Sequence, residues 1–225
     1  MTKNRSIAID GPAGAGKSTI AKEIAAKLDM IYVDTGAMYR AMAIYFLSLG
    51  LDGKDEAGIC AACGGADVSV IYENGAQQLI VNGENVTPRL REEAVGQMAS
   101  SCAVYGPVRS KLVELQRELA DRTPVIMDGR DIGSVVLPNA GLKVYLTASV
   151  EERARRRYKE LIEKGETCDI KEVEKTIADR DYQDMHRENS PLCQAEDAVL
   201  VDSSNMTAAQ VVDTILDLYR KAVAE

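Results

Sequence analysis

Five short apolar runs recur along the chain, and segments with a helical pattern separate them. The runs are SIAID at residues 6–10, MIYVD at 30–34, PVIMD at 124–128, LKVYLT at 142–147 and AVLVD at 198–202. Near-continuous apolar runs of this length are typical of parallel strands that are covered on both faces. The pattern therefore predicts an α/β fold with a five-stranded parallel sheet.

Four of these runs end in an aspartate, namely Asp10, Asp34, Asp128 and Asp202. In open parallel sheets, ligands bind at the carboxyl ends of the strands, so we expect these aspartates to face the functional site. An aspartate in this position can instead cap the following helix. For Asp202 the helix cap is the favoured interpretation.

Two further segments have patterns of their own. Residues 66–87 contain two strand-like runs joined around Asn74-Gly75, and a second Asn-Gly pair follows at Asn82-Gly83. Asn-Gly between such runs predicts a β-hairpin, so an antiparallel insert interrupts the α/β domain. From Thr207 onward, apolar residues recur at helical spacing and Gln210 completes a capping box, which predicts a packing helix.

Composition places the chain among globular proteins. Its 225 residues are 46% hydrophobic and 28% charged, with no apolar run long enough to span a membrane. The first residues show no signal-peptide pattern, and five cysteines are an odd number that suits a reducing compartment, so we expect a cytoplasmic protein. Cys60-x-x-Cys63 resembles a redox or zinc motif, but there is no second pair and the sequence has a single histidine, His186, so we interpret the cysteines as buried or incidental.

The charge distribution favours a small anionic ligand over nucleic acid. A formal charge of -8 and a pI near 4.9 argue against binding a phosphate backbone. Four arginines and a lysine nevertheless lie within residues 151–159. This run could be a local anion site, or a solvated helix face with Glu152–Arg156 and Glu151–Arg155 pairs.

The clearest motif is Gly11-Pro-Ala-Gly-Ala-Gly-Lys17-Ser18, which follows a predicted strand and opens a predicted helix. Its glycines let main-chain N–H groups turn towards phosphate oxygens, and the helix N-terminus favours negative charge. We expect Lys17 to reach the β- and γ-phosphates of ATP and Ser18 to hold Mg²⁺. The residues predicted to bind ATP are Gly11, Pro12, Ala13, Gly14, Ala15, Gly16, Lys17, Ser18 and Thr19.

Three classes of nucleoside-triphosphate-binding protein remain in consideration. A switch GTPase would carry an Asn-Lys-x-Asp motif, which this sequence lacks. An ATPase motor or binding module usually has a longer chain or repeated modules. A kinase of a small acceptor would need a second pocket that binds an anion.

Three segments resemble nucleoside monophosphate kinases. The run from Asp34 to Arg40, DTGAMYR, is similar to their monophosphate-binding segment. The runs DGRDIG at 128–133 and RDYQDMHR at 180–187, the latter followed by Ser190-Pro-Leu, narrow the resemblance to bacterial-type cytidylate kinase. The motifs keep the family's order from residue 6 to about residue 202.

The resemblance implies a P-loop NTPase fold and transfer of a phosphoryl group from MgATP to CMP or dCMP. It implies that Arg40 and Arg130 clamp the acceptor phosphate, and that Thr35, Arg109, Asp131 and Arg187 read the cytosine edge. Ser100, Arg180 and Asp184 would contact the pentose, and Tyr39, beside Arg40, is also predicted to bind the substrate. Lys17, Arg130, Arg156 and Arg157 would act on the transferring phosphoryl group. Thr35 stands where some members of the family have serine.

The resemblance also implies an organisation: one kinase domain over residues 1–225, a monophosphate-binding insert at 62–100 and a mobile Arg-rich helical lid at about 150–168. We expect a monomer with no nucleic-acid or membrane partner, in which Asp128 supports the metal through water.

Taken alone, these residues leave other interpretations open. Arg130 could form a structural ion-pair cluster with Asp128 and Asp131, Tyr39 could pack a helix, and Arg109 would by default be exposed. A kinase of UMP, AMP or a small metabolite such as a polyol acid, or a nucleotide-dependent regulatory module, also fits the phosphate loop.

Overall fold

A computed structural model describes residues 5–224, which form two compact units. The first takes in Met1–Tyr32 and Thr123–Glu225, and the second is Val33–Arg122. Each unit is described by itself below.

The first unit is built on a five-stranded sheet. Its strands are β1 (Ile7–Asp10), β2 (Ile31–Asp34, which runs into the second unit), β6 (Val125–Gly129), β7 (Leu142–Thr147) and β8 (Val199–Asp202). Across the sheet they lie in the order β2-β6-β1-β7-β8. Its helices are α1 (Lys17–Leu28), α6 (Val150–Glu163), α7 (Ile170–His186) and α8 (Ala208–Ala224). Strand β1 lies at the centre and pairs in parallel with β6 and β7, Ile7 lying opposite Ile126 and Leu142. The predicted five-stranded parallel sheet is confirmed.

Apolar burial explains why these segments form strands and covering helices. Ile7 and Ile9 on the central strand are fully buried, in one cluster with Ile20 and Ile24 of α1 and Ile215 of α8. The predicted cap of α8 is confirmed, since the Gln210 N–H donates to Thr207 Oγ1 and the Thr207 N–H donates to Gln210 Oε1. The last helix therefore serves packing, as its spacing predicted.

Helices α6 and α7 have a small apolar cluster of their own. Ala154 of α6 and Val173 and Ile177 of α7 are its buried members, and Leu161 and Cys168 pack against them. The predicted lid segment, at about 150–168, takes in α6 and the turn that leads to α7.

The second unit combines helices with a small antiparallel sheet. Its helices are α2 (Thr35–Ser48), α3 (Glu56–Ala62), α4 (Glu93–Cys102) and α5 (Gly106–Arg122), and its strands are β3 (Val68–Glu73), β4 (Ala76–Val81) and β5 (Glu84–Asn85). Asn74 and Gly75 have φ of 52° and 76°, and Asn82 and Gly83 have φ of 50° and 84°. Both turns have the positive φ values that two-residue hairpins require, so the predicted antiparallel insert is confirmed.

Candidate functional site

The loop between β1 and α1 has the backbone that its glycines predict. A Cβ on Gly11 would overlap the carbonyl oxygen of Leu146, and Gly11 has φ of +149°. Gly16, with φ of 87°, precedes α1 and has no side chain to occupy the first-turn N–H groups. These N–H groups and the positive end of the helix dipole can therefore receive phosphate oxygens, so the loop fits ATP.

Lys17, the first residue of α1, is only 6% exposed, and its Nζ donates to the carbonyl oxygen of Pro12 at 2.7 Å. Burial, and after it the nearby Arg130 cation, lower the pKa of Lys17 to about 7, although the carboxylates of Asp128 and Asp10 act in the opposite direction. A bound polyphosphate would raise the pKa of Lys17 again, because its negative charge favours the ammonium form of the side chain.

Ser18 lies in a hydrogen-bond network with Asp128 at the end of β6. Ser18 Oγ donates to Asp128 Oδ2 at 2.9 Å, and the hydroxyl of Tyr32 donates to Asp128 Oδ1 at 2.7 Å. Asp128 is 6% exposed. Because the Ser18 hydroxyl donates a hydrogen bond to Asp128, the lone pairs of its oxygen can coordinate a cation.

The donor set at Ser18 fits Mg²⁺, which usually takes one or two protein oxygens together with substrate phosphates and water. Within residues 5–224, no group of three or more His, Cys, Asp or Glu side chains is placed to hold a metal ion without such help. Ser18 and Asp128 are therefore the residues that would hold Mg²⁺ together with a nucleotide.

Asp10 supports the segment that follows β6. Its two carboxylate oxygens accept from the N–H groups of Ile132 and Gly133, each at 2.7 Å, at the start of a π-helical turn over Ile132–Val136. Burial raises the pKa of Asp10 to about 6, although the two N–H groups act in the opposite direction. Asp10 thus fixes the backbone just after Arg130 and Asp131.

The DGRDIG segment and the end of α7 are joined by two ion pairs. Arg130 Nε contacts Asp184 Oδ2 at 2.6 Å, and Arg187 Nη2 lies 3.6 Å from Asp131 Oδ1. Arg187 also donates to the carbonyl oxygen of Ser190 at 2.6 Å. Four predicted acceptor residues are therefore brought together here, whereas Arg180 lies exposed one turn earlier on α7.

Arg153 is the buried arginine of the lid segment, with its side chain 4% exposed. It donates to the carbonyl oxygens of Ala148 and of Ala13 in the phosphate loop, each at 2.9 Å. Its Nη2 contacts Asp181 Oδ2 of α7 at 2.6 Å. One side chain thus links the phosphate loop to α6 and α7.

The two lid arginines predicted to be catalytic have other contacts in this structure. Arg156 donates to Glu152 Oε1 at 2.9 Å and to the carbonyl oxygen of Ser203 at 2.8 Å. Arg157 pairs with Glu160 at 3.1 Å and is about half exposed. The predicted Glu152–Arg156 pair is present, whereas Arg155 pairs at 2.8 Å with Glu152 and not with the predicted Glu151.

In the second unit, Thr35, Tyr39 and Arg40 lie on the first turns of α2. Asp34 caps this helix by accepting from the Ala37 N–H at 2.9 Å. Thr35 is 3% exposed, and Tyr39 and Arg40 are half-buried. The helix thus begins at the predicted acceptor segment.

Ser100 and Arg109 lie on α4 and α5 of the same unit. Ser100 is exposed and its Oγ donates to the carbonyl oxygen of Gly96 at 3.1 Å. Arg109 is 6% exposed and donates to the carbonyl oxygen of Ala103 at 3.3 Å. The default expectation of an exposed Arg109 is wrong, because the apolar face of α5 is buried on both sides of it.

The prediction that Asp202 caps a helix needs correction. Asp202 accepts from the N–H and hydroxyl of Ser204 and so closes a turn, whereas Thr207 caps the following helix. Arg130 forms an ion pair with a residue that its local sequence does not show, Asp184, which lies 54 residues further along the chain.

Sequence reasoning missed Tyr32 and the Arg153–Asp181 pair. Tyr32 stands in an apolar run, where its ring predicts packing and its hydroxyl gives no signal. Arg153 is one of four arginines on α6. Its position next to the buried Ala154 is the feature that distinguishes it from the other three.

Among the described helices, from α1 to α8, none combines the length and the apolar character needed to cross a membrane. The five cysteines are free thiols.

Comparisons with known proteins show which family and fold the chain resembles. A family model described as cytidylate kinase matches residues 7–221. A cytidylate kinase of Caldicellulosiruptor saccharolyticus is 45% identical over 221 residues, covering 98% of each chain. A cytidylate kinase of Desulfitobacterium hafniense is 46% identical over 223 residues, covering 99% of this chain and 96% of the other. A solved structure of an uncharacterized protein from Eubacterium ventriosum shares the fold, with a TM-score of 0.54 at 11% identity over 95% of this chain and 97% of that one.

Proposed function

The chain belongs to the cytidylate kinase family, and from that premise we propose that it transfers the γ-phosphoryl group of ATP to CMP and dCMP. The products are ADP and CDP or dCDP. The observation that carries the proposal is the phosphate loop with Ser18 held by Asp128, in a chain whose family match covers residues 7–221. Such a loop binds a nucleoside triphosphate, and the family supplies the acceptor.

On the donor side, the phosphate loop and Lys17 bind the phosphates of ATP. Bound MgATP supplies the phosphoryl group and a cation that offsets the charge of the transition state. Lys17 is held within reach of the loop by its bond to Pro12, and Ser18 and Asp128 would hold the metal, Asp128 through water. Phosphoryl transfer depends on such positioning and charge neutralisation more than on covalent chemistry.

On the acceptor side, no general base is required. A phosphate monoester has a second pKa of about 6, so the attacking oxygen is largely ionised at neutral pH. Arginine suits such an acceptor because its planar fork pairs bidentately with phosphate oxygens and base edges. Arg130 and Arg40 are the proposed phosphate clamp.

The remaining acceptor contacts follow the family resemblance. Thr35, Arg109, Asp131 and Arg187 are proposed to read cytosine, and Ser100, Arg180 and Asp184 to contact the pentose, with Tyr39 in the same segment. The Arg187–Asp131 and Arg130–Asp184 pairs support these roles, because ion-paired side chains keep a fixed orientation. In the proposed cycle, Asp184 exchanges part of its contact with Arg130 for the pentose.

Residues 150–168 are proposed to act as the lid and residues 62–100 as the monophosphate-binding insert. Arg156 and Arg157 would leave Ser203 and Glu160 when the lid closes and neutralise the moving phosphoryl group. Closure also excludes water, which would otherwise accept the phosphoryl group. ATP hydrolysis without an acceptor is therefore expected to be slow, and rapid acceptor-independent turnover would contradict closure.

We propose that the enzyme works as a cytoplasmic monomer without a nucleic-acid partner. The acidic pI near 4.9 and the five free cysteines support this setting.

The test is a coupled ADP-release assay with MgATP and, in parallel, CMP, dCMP, UMP, AMP and GMP. The proposal predicts strong turnover with CMP and dCMP and a weak response to the purine nucleotides. Strong turnover with UMP or AMP alone would reassign the acceptor. Silence with every monophosphate while ATP still binds would overturn the proposal in favour of a metabolite kinase or a regulatory module.

A further inference from the structure

We propose that Gln77, on strand β4 of the insert, is a positioning residue for the acceptor nucleotide. Its side-chain amide fixes the main chain of Asp34, the residue from which the acceptor segment of α2 begins. The inference rests on the proposed function, which assigns Thr35, Tyr39 and Arg40 to the acceptor. Gln77 acts through these residues without contacting the substrate itself.

The contact consists of two hydrogen bonds to one residue. The Asp34 N–H donates to Gln77 Oε1 at 2.7 Å, and Gln77 Nε2 donates to the Asp34 carbonyl oxygen at 3.3 Å. The amide therefore binds both main-chain polar groups of Asp34, much as a neighbouring strand would. Both bonds lie within the second unit, between residues 43 positions apart in the chain.

Asp34 passes this constraint on to the acceptor segment. Its carboxylate caps α2 through the Ala37 N–H at 2.9 Å, so the same residue is held at its main chain by the insert and at its side chain by the helix. A Cβ on Gly36 would lie 3.3 Å from Asp34 Oδ1 and 3.6 Å from Arg40 Nη1. The guanidinium of Arg40 is therefore close to the same turn, and a shift of Asp34 would displace Thr35 and Arg40 together.

The position of Gln77 in the hairpin makes it a link to the insert. Gln77 lies opposite Tyr72 in the antiparallel pair of strands. The next pair, Ala76 and Glu73, flanks the Asn74-Gly75 turn. Any movement of this hairpin end is carried to the start of α2 by the amide. The insert can thus influence the affinity for the acceptor nucleotide without any contact with the ATP site.

The adjacent residue offers a matched control. Gln78 is the same residue type on the same strand, points to the opposite face and is bonded to the side chain of Asn85 at 3.2 Å. We expect Gln77→Ala to raise the KM for CMP about tenfold, since two hydrogen bonds to the segment are lost. The KM for ATP should change less than about twofold, and Gln78→Ala should leave both values near those of the parent chain.

A second variant separates positioning from folding. Gln77→Glu keeps an acceptor for the Asp34 N–H but places a carboxylate oxygen against the Asp34 carbonyl oxygen, so its KM for CMP should rise at least as far as that of Gln77→Ala. Hydrogen exchange gives a readout that does not depend on turnover: the Asp34 amide should exchange faster in Gln77→Ala than in Gln78→Ala. Thermal unfolding of all three variants shows whether they fold.

The inference is overturned if Gln77→Ala and Gln78→Ala have the same KM for CMP, or if Gln77→Ala raises the KM for ATP equally. A fall in melting temperature with unchanged KM would show that Gln77 is only structural. Turnover of CMP by the parent chain tests the proposed function, whereas the difference between the glutamine variants tests this inference. The two can therefore fail separately.

Discussion

The buried ion pair between Arg153 and Asp181 yields a prediction whose magnitude follows from its surroundings. The two side chains are 4% and 10% exposed, with 2.6 Å between Arg153 Nη2 and Asp181 Oδ2. Asp181 Oδ1 is buried and has no hydrogen-bond partner among the described residues, so Arg153 provides the countercharge of this carboxylate. Replacing Arg153 by leucine leaves a buried carboxylate uncompensated.

Removing one partner of a buried pair costs about 3–5 kcal/mol, because the remaining charge stays desolvated. We therefore expect Arg153→Leu to lower the free energy of unfolding by that amount. In the double variant Arg153→Leu, Asp181→Leu the charge is removed as well. About 1–3 kcal/mol of the loss should remain, since the carbonyl oxygens of Ala13 and Ala148 also lose a donor.

Urea unfolding followed by circular dichroism measures these differences, as the chain has no tryptophan to report by fluorescence. Arg155→Leu is the control: its side chain is 68% exposed and pairs with Glu152 three residues away, so a change within about 0.5 kcal/mol is expected. ATP affinity should fall in the double variant, because the phosphate loop loses its tie at Ala13. A loss below about 1 kcal/mol in Arg153→Leu, or a double variant as unstable as the single one, would refute the reasoning.

Three other residues give sharp expectations. The pKa of Lys17 is about 7 in the free protein and rises when phosphates bind, so ATP binding should take up a proton and weaken from about pH 7.5 to about pH 9. Calorimetry in buffers of different ionisation heat measures this uptake, and pH-independent affinity would contradict it. Gly11→Ala should destabilise the chain by more than about 2 kcal/mol and abolish ATP binding, because the new methyl group overlaps the Leu146 carbonyl oxygen. Gly96→Ala, within α4 and with open space around it, should be neutral or stabilising in the same unfolding assay, and equal effects would refute the steric reasoning. Arg187→Ala should weaken CMP use by about 1–3 kcal/mol in kcat/KM while the Kd for ATP is unchanged; parallel losses would remove Arg187 from base reading.

The sheet and the phosphate loop could be predicted because their signals are local. Continuous apolar runs specify buried parallel strands, and the glycines of residues 11–16 specify a loop that residues with larger side chains cannot form. The capping box at Thr207 is equally local and was confirmed. For Asp202 the local signal was ambiguous, since an aspartate after a strand can close a turn with Ser204 or cap a helix.

The contacts that organise the site depend on residues far apart in sequence. Ser18 meets Asp128 110 positions away, and Arg153 donates to Ala13 140 positions away. Helical spacing shows on which face of α6 each of its four arginines lies. It does not show which of these faces contacts carbonyl oxygens of another element. Arg109 is a different case: its partner Ala103 lies only 6 residues before it, but it precedes the helix, so helical spacing alone does not reveal the contact.

Transfer of a labelled phosphoryl group tests the proposed reaction itself. The chain is incubated with CMP and Mg²⁺ and with ATP labelled at the γ-phosphate, and the products are separated. The account predicts that the label moves from ATP to CDP, with little inorganic phosphate when CMP is omitted. Label that appears only as inorganic phosphate, or that remains in ATP whichever pyrimidine monophosphate is supplied, would contradict it.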